Sequence, residues 1–334
     1  KIKQLKTFNL EYEKHNTITN HSIVDVYDHI IKDWYDLDSV RYNLDGVYLM
    51  KNDLDSDTAG YNPLVSEGFN EGTGWSPIRN STEGFSGYFD GQGHEISNLY
   101  INRVEKSVGL FAISEEDSFI ENVGLKDVDV EGFSNVGGLV GENSGGTINN
   151  SYVSGDVTAE DDSVGGLVGF NRGEINNSYA SGDVKGSDYV GGLVGEQQVG
   201  DITSSYVTGT VTGNRGVGGL VGRNVFGNIT NSYAKGEVEG IEVVGGLVGF
   251  NNDAEVIDSI SIESQDYDVI GSDGPTSGRV TDAPESDMQQ KRLYTDDTFE
   301  GEDGTKYDSL NEPWDDAIWD FGESDDYPKL NWQE

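Results

Sequence analysis

The pentapeptide GGLVG begins at Gly137, Gly165, Gly191, Gly218 and Gly245, so it returns after 28, 26, 27 and 27 residues. Few folds accommodate so regular a period. Each unit opens a second apolar block at Ile148, Ile175, Ile202 and Ile229, followed four residues later by Tyr152, Tyr179, Tyr206 and Tyr233. A third block centres on Val157, Val184, Val211 and Val238. Three short apolar blocks separated by Gly, Asn and Asp are each too short for a helix of ordinary length. They fit one coil of a parallel β-solenoid, in which every residue stacks on its equivalent in the next coil. A propeller blade, the rival, needs about 40 residues. The period continues at Ile96, Ile120 and Val256. The expected fold is therefore all-β, a parallel β-helix of about seven coils of 27 residues spanning about residues 46–270.

Stacking explains the sameness of the repeat, because Ile on Ile and Val on Val fill a column without voids. Asn150, Asn177 and Asn231, with Ser204 in the third copy, are expected to form a hydrogen-bonded ladder. Open solenoid ends expose strand edges and must be covered. All five tryptophans (Trp34, Trp75, Trp314, Trp319, Trp332) lie outside the clear repeats. Trp34, Leu37, Val40 and Leu44 fall on one helical face behind a candidate N-cap, Asp33, which predicts a short capping helix. The aromatic-rich C-terminus predicts the other cap. The resulting division is an arm or attachment segment at 1–30, an N-terminal cap with first coils at 31–95, the repeat solenoid at 96–270 and an acidic C-terminal cap at 271–334.

The formal net charge of −40 comes from 61 acidic against 21 basic residues. Such a surface repels the phosphate backbone, which excludes nucleic acid as a partner. At molar salt the Debye length shrinks to about 3 Å, so this composition suits a salt-loving source. No run of 18 apolar residues is present, so no transmembrane insertion is expected. The opening KIKQLKTFNLEYEKHN lacks the blocks of a signal peptide. A removed leader, or delivery within an assembled particle, is the expectation.

The run FSGYFDGQGHEISNLYINR from Phe85 to Arg103, then VGLF, successive GGLVGxNxGxIxNSYAxGxV units and the closing WDFGESDDYPKLNW resemble the GLUG-motif family of bacterial and archaeal surface proteins. The likeness covers about Ile31 to Trp332. It implies a β-helical, generally non-catalytic region of adhesin-like proteins; similar arrays occur in tail-associated proteins of viruses. Gln197 and Gln198 stand where other copies have Asn, and Ala254 to Ile257 replace the usual Gly-turn.

Cysteine is absent and the four histidines (His15, His21, His29, His94) leave residues 95–334 without one. No Ser-His-Asp, Cys-His or His-rich zinc constellation can be assembled there, and no enzyme and no required cofactor are expected. His94 beside Asp90 in FDGQGHEI reads better as a tight turn than as an acid–base pair. Asp53, Asp55 and Asp57 have the spacing that opens a calcium loop, making them the candidate Ca2+ ligands. Thr58 and Leu64 stand where an EF-hand needs Gly and Glu, so a solvated acidic turn is the competing reading. Tyr152, Tyr179, Tyr206 and Tyr233 are either packing residues or, if they face outward, a stacking stripe for recognition of a glycan. Sequons occur at Asn20, Asn80, Asn149, Asn176 and Asn228, with Asn80 the most accessible glycosylation candidate.

The function expected from these features is non-catalytic surface recognition or adhesion by a protein of a halophilic archaeon or its virus. It would sit outside the cell, on the cell or virion surface, and bind a cell-envelope glycan or an S-layer-type protein. Residues 1–30 would join it to its parent assembly, and a viral fibre would be a trimer. A polysaccharide-acting β-helix enzyme and an architectural spacer are the alternatives.

Overall fold

The computed structural model describes residues 29–333, apart from 69, 263–266, 273–275, 297–298, 302–304, 308–309, 312 and 322–326. Almost all of the arm assigned to residues 1–30, with Asn20, His15 and His21, lies outside the described residues.

The chain winds into a parallel β-solenoid. Two of its faces are six-stranded sheets, one running from Lys106–Val108 to Glu242–Gly245 and the other from Phe111–Ser114 to Val248–Asn251. Six rungs, not seven, therefore build these two faces. On the third face the parallel ladder is longer. It starts at His29–Ile31 and passes through Val47–Met50, Tyr88–Asp90 and Phe119–Glu121 to Val256–Ile262 and Thr276–Ala283. The coils thus begin before the expected residue 46 and continue past 270.

Like pairs with like, as a solenoid requires. Ile120, Ile148, Ile175, Ile202, Ile229 and Val256 are in register and fully buried. Each such side chain contributes about 1.5–3 kcal/mol by leaving water. The GGLVG units form a crease where the two six-stranded faces meet. A Cβ on Gly169 would lie 2.4 Å from the Asn135 carbonyl carbon and from Val136 N, so only glycine lets the two backbones approach there.

The polar ladders differ from those expected. Asn122, Asn150, Asn177, Ser204 and Asn231 have φ between +47° and +54°. They are left-handed corners, a conformation asparagine tolerates best among non-glycine residues. Within this column Asn150 Nδ2 donates to Asn122 Oδ1 at 3.3 Å, while Asn231 Oδ1 is buried with no hydrogen-bond partner among the described residues. The buried amide ladder lies elsewhere. Asn143 Nδ2 donates to Asn171 Oδ1 at 2.7 Å, and Asn171 Nδ2 to Gln197 Oε1 at 2.7 Å. Gln197, the apparent departure from the repeat, accepts from Asn171 but ends this run of the ladder. Its Nε2 donates to Val199 O at 2.9 Å and Gly200 O at 2.7 Å, and Oδ1 of Asn224, its partner on the next rung, is buried with no hydrogen-bond partner among the described residues. A serine ladder accompanies it: Ser151 N donates to Ser178 Oγ, Ser178 N to Ser205 Oγ and Ser205 N to Ser232 Oγ, at 3.2, 3.2 and 3.1 Å.

Replacing Asn171 by leucine strands Gln197 Oε1 and one Asn143 N–H inside the core. The expected cost is about 3–5 kcal/mol, read as a fall in denaturation midpoint.

The capping helix α1 spans Trp34–Ser39, and the Asp33 carboxylate accepts from Asp36 N at 2.9 Å. Trp34, Leu37 and Val40 are fully buried in the rod's core. The helix is inserted between the first two rungs instead of preceding them, since His29–Ile31 already pairs with Val47–Met50.

Candidate functional site

The tyrosine column and the C-terminus meet. Tyr152, Tyr179, Tyr206 and Tyr233 stack ring on ring at 4.8, 4.8 and 4.9 Å, each pair within 4° of parallel. Register forces this geometry, because each tyrosine follows its buried isoleucine by the same four residues and pairs with its counterpart one rung away. The C-terminal cap does not only close the end of the rod. It folds back along the rod's side and covers half of this column. Tyr233 OH donates to Pro328 O at 2.7 Å, Gln333 Nε2 donates to Tyr206 OH at 2.8 Å, and Trp332 Nε1 donates to Asn177 O at 2.9 Å. Trp314, Trp319, Tyr294 and Phe321 form a second core against Tyr206 and Tyr233.

The four tyrosines are thereby divided. Tyr206 and Tyr233 are buried under the cap and are packing residues, whereas Tyr152 and Tyr179 are half-buried. Trp332 lies 6.1 Å from Tyr152 and 5.9 Å from Tyr179. Together they bound a cleft of about 720 Å³, whose other walls include Gln92, Glu95, Asn122, Lys329 and Gln333. That volume falls within the range of about 300–1,000 Å³ typical of ligand sites.

Glu95 is the carboxylate of the cleft, and Lys329 is the ammonium in the same wall. Glu95 Oε1 accepts from Tyr152 OH at 2.6 Å, and Lys126 Nζ stands 3.7 Å from Glu95 Oε2. Burial, reinforced by that carboxylate, holds the Tyr152 phenol well above its ordinary pKa. Burial raises Tyr179 and Tyr206 as well. These hydroxyls are neutral donors at any ordinary pH and supply no base.

Asp53, Asp55 and Asp57 are not brought together. Asp53 Oδ1 accepts from Glu95 N at 3.0 Å and lies 2.9 Å from His94 Nδ1. The Glu95 N–H first, and His94 second, hold this carboxyl below its usual range. Asp55 Oδ1 is used within its own turn, accepting from Thr58 Oγ1 at 2.8 Å and Asp57 N at 3.0 Å. Among the described residues no group of three acidic or histidine side chains converges as a metal site. The short spacing that suggested calcium ligands instead folds into an Asx-type turn that satisfies the Asp55 carboxylate locally, while Asp53 is turned toward Glu95 N, 42 residues away. His94 and Asp90 also separate: Asp90 accepts from Gln92 N and Asn122 Nδ2, and His94 N closes the turn onto Gly91 O at 2.9 Å.

Asn80 is exposed in a turn in which its own Oδ1 accepts from Thr82 N and Glu83 N, both at 2.8 Å. Asn149 and Asn176 sit in strands of the rod, and Asn228 immediately precedes one.

Trp332, Gln333 and Lys329 carry no periodic signal that could have placed them beside the tyrosines. Trp332 and Asn177 are 155 residues apart in sequence.

Four units, residues 134–158, 162–185, 186–212 and 213–239, match the family model of the GLUG motif. Halomucin of Haloquadratum walsbyi is 39% identical over 126 residues, which make up 36% of this chain and 1% of that protein. A Gly-rich membrane protein of Evansella cellulosilytica is 40% identical over 113 residues, 33% of this chain and 12% of that one. The chain thus spans a small part of the curated relatives it matches. A crystal structure from Bacteroides ovatus bearing the name of an immunoglobulin A1 protease superposes with a TM-score of 0.65 at 19% identity, covering 91% of this chain and 92% of the other. At that identity the likeness concerns the fold. The GLUG repeats and the parallel β-solenoid read from the sequence are both found.

Proposed function

We propose that this GLUG-repeat solenoid is a non-catalytic recognition module of a cell surface, holding a cell-envelope component in its lateral cleft. The observation that carries the reading is the junction of Tyr152, Tyr179 and Trp332: a rigid rod presents an aromatic cleft whose polar groups are hydrogen-bonded and whose phenols stay protonated. Resemblance to halomucin, a protein of a halophilic archaeon, supports a surface setting in concentrated salt. The rod's preformed geometry supports binding at a distance, since little orientational freedom is lost inside it when the cleft is filled.

The test is incubation of the labelled protein, in about 2 M NaCl, with intact haloarchaeal cells and with their isolated envelopes. Bound protein, released reducing sugar and released peptide are measured together. Saturable binding without release is expected. Release of sugar or peptide would mean an enzyme, and absence of binding would leave a spacer.

A further inference from the structure

We infer that the cleft receives one uncharged sugar ring, seated against Tyr152 and Trp332 where the tyrosine stack ends. The inference rests on the recognition reading above and names the ligand class of that site.

The stack ends because the rung before Tyr152 carries a glycine: Tyr152 pairs with Gly124. A Cβ at Gly124 would fall 2.5 Å from the Tyr152 ring, so the ring leans across this rung. Its hydroxyl thereby reaches Glu95, on the strand that pairs with Gly124 from the other side. At this end of the column the next large ring is Trp332, tilted 28° to Tyr152. The result is a short aromatic wall bordered by side-chain amides, the Glu95 carboxylate and the Lys329 ammonium.

The polar rim retains bonding capacity. Gln333 is hydrogen-bonded to the Tyr206 and Tyr179 hydroxyls and accepts at its carbonyl from Leu330 N, and Asn122 donates to Asp90 at 3.0 Å and accepts from Asn150 at 3.3 Å. An amide offers two N–H donors and two carbonyl lone pairs, so each keeps further sites. A pyranose matches this pattern, with an apolar C–H face for the rings and hydroxyls in its plane for the amides and Glu95. The ligand is uncharged because the wall sets one carboxylate, Glu95, against one ammonium, Lys329, and so offers no net charge to attract an ion, while the whole chain carries −40. An anionic sugar would be repelled in dilute salt, and charge-driven binding would vanish in molar salt. Ring stacking and short hydrogen bonds survive both conditions.

The cleft contains its own reporter. Trp34, Trp75, Trp314 and Trp319 are buried at 0, 0, 2 and 1% exposure, whereas Trp332 is partly exposed. Tryptophan emission is followed during titration with methyl glucoside, methyl galactoside, N-acetylglucosamine, glucuronic acid and a phenylalanine-containing tripeptide that lacks tryptophan, at low and at molar NaCl. A saturable change with at least one of the three neutral sugars, of similar affinity at both salt concentrations, is expected. Trp332→Phe should abolish the optical signal. Ligand-observed NMR should show binding at least tenfold weaker in Tyr152→Ala, and within about threefold of wild type in Tyr152→Phe, which keeps the ring. Thermal melts show whether the variants are folded. If Tyr152→Ala is not, Glu95→Gln, which keeps the shape of the rim, is expected to retain binding of the neutral sugar and not to acquire binding of glucuronic acid as its main ligand. Response to glucuronic acid or to the tripeptide alone, an optical signal persisting in Trp332→Phe, or no response to any neutral sugar overturns the inference. Envelope binding that is intact in Tyr152→Ala would overturn the sugar site and leave surface recognition standing. Failure of the wild type to bind envelopes would remove the recognition reading itself.

Discussion

Replacing Gly173 by valine is expected to unfold the central rungs, with a loss of more than about 4 kcal/mol. A Cβ at this position would lie 1.9 Å from Gly146 O and 2.5 Å from Asn143 Nδ2. Both belong to the preceding rung, and the first is backbone, so no rotamer change relieves the clash. The same rung anchors the amide ladder, since Asn143 Nδ2 donates to Gly146 O at 3.0 Å and Asn171 Nδ2 to Gly173 O at 2.9 Å. A single substitution therefore breaks the stacking contact and the buried polar network together. Gly68→Ala is the control, because nothing lies within 4 Å of its Cβ position. It should be neutral or slightly stabilising through the unfolded chain. Chemical denaturation of both variants separates the two cases; equal midpoints would mean that rung spacing is not what the glycines protect.

The second large effect concerns charge. Thermal midpoint should rise by roughly ten degrees or more between about 0.1 and 2 M NaCl, as screening removes self-repulsion among 61 acidic side chains. Acid should partly substitute for salt. Burial first, and neighbouring carboxylates after it, raise the carboxyls of Asp129 and Asp162 above their ordinary value; burial also raises Glu121 and Glu174. A carboxyl whose folded pKa is raised binds its proton more readily in the folded state. Its stabilisation is complete below the unfolded pKa, near 4, and is lost as pH rises through the folded value. At low salt, mild acidification from neutrality toward about pH 5 should therefore raise the midpoint. Asp53 works in the opposite sense, because its lowered pKa gives stability that is lost as pH falls, but it is one exposed group. A midpoint indifferent to both salt and pH would show that the acidic surface does not strain the fold.

Much of the rod could be read directly from spacing. Ile148, Ile175, Ile202 and Ile229 stand in register as their 27-residue spacing implied, because a solenoid turns sequence period into spatial adjacency. Asp33 and Trp34 marked α1 for the local reason that capping and helical periodicity are contained within a few residues. The corner asparagines were misread as a ladder, since asparagine satisfies both a left-handed φ and a side-chain stack and sequence alone does not separate these. Gln197 departs from the pattern in letters and keeps it on one side only: it accepts from Asn171, and its longer side chain donates to Val199 O and Gly200 O instead of the next rung. The cleft was only half visible. Tyr152 and Tyr179 could be named from the repeat, but Trp332, Gln333 and Glu95 come from segments outside the clear units, and long-range return of a chain leaves no local trace.

The most direct measurement is the affinity of the folded protein for isolated haloarchaeal envelopes in about 2 M NaCl, compared between two double variants. Tyr152→Ala/Trp332→Ala removes the cleft's aromatic wall. Arg215→Ala/Phe250→Ala removes a stacked pair on the six-stranded faces, where the Arg215 guanidinium lies 4.8 Å from the Phe250 ring. The expected result is a loss of at least tenfold for the first and wild-type affinity for the second, with no sugar or peptide released in any sample. Equal affinity of the cleft variant and the wild type would contradict recognition through the cleft.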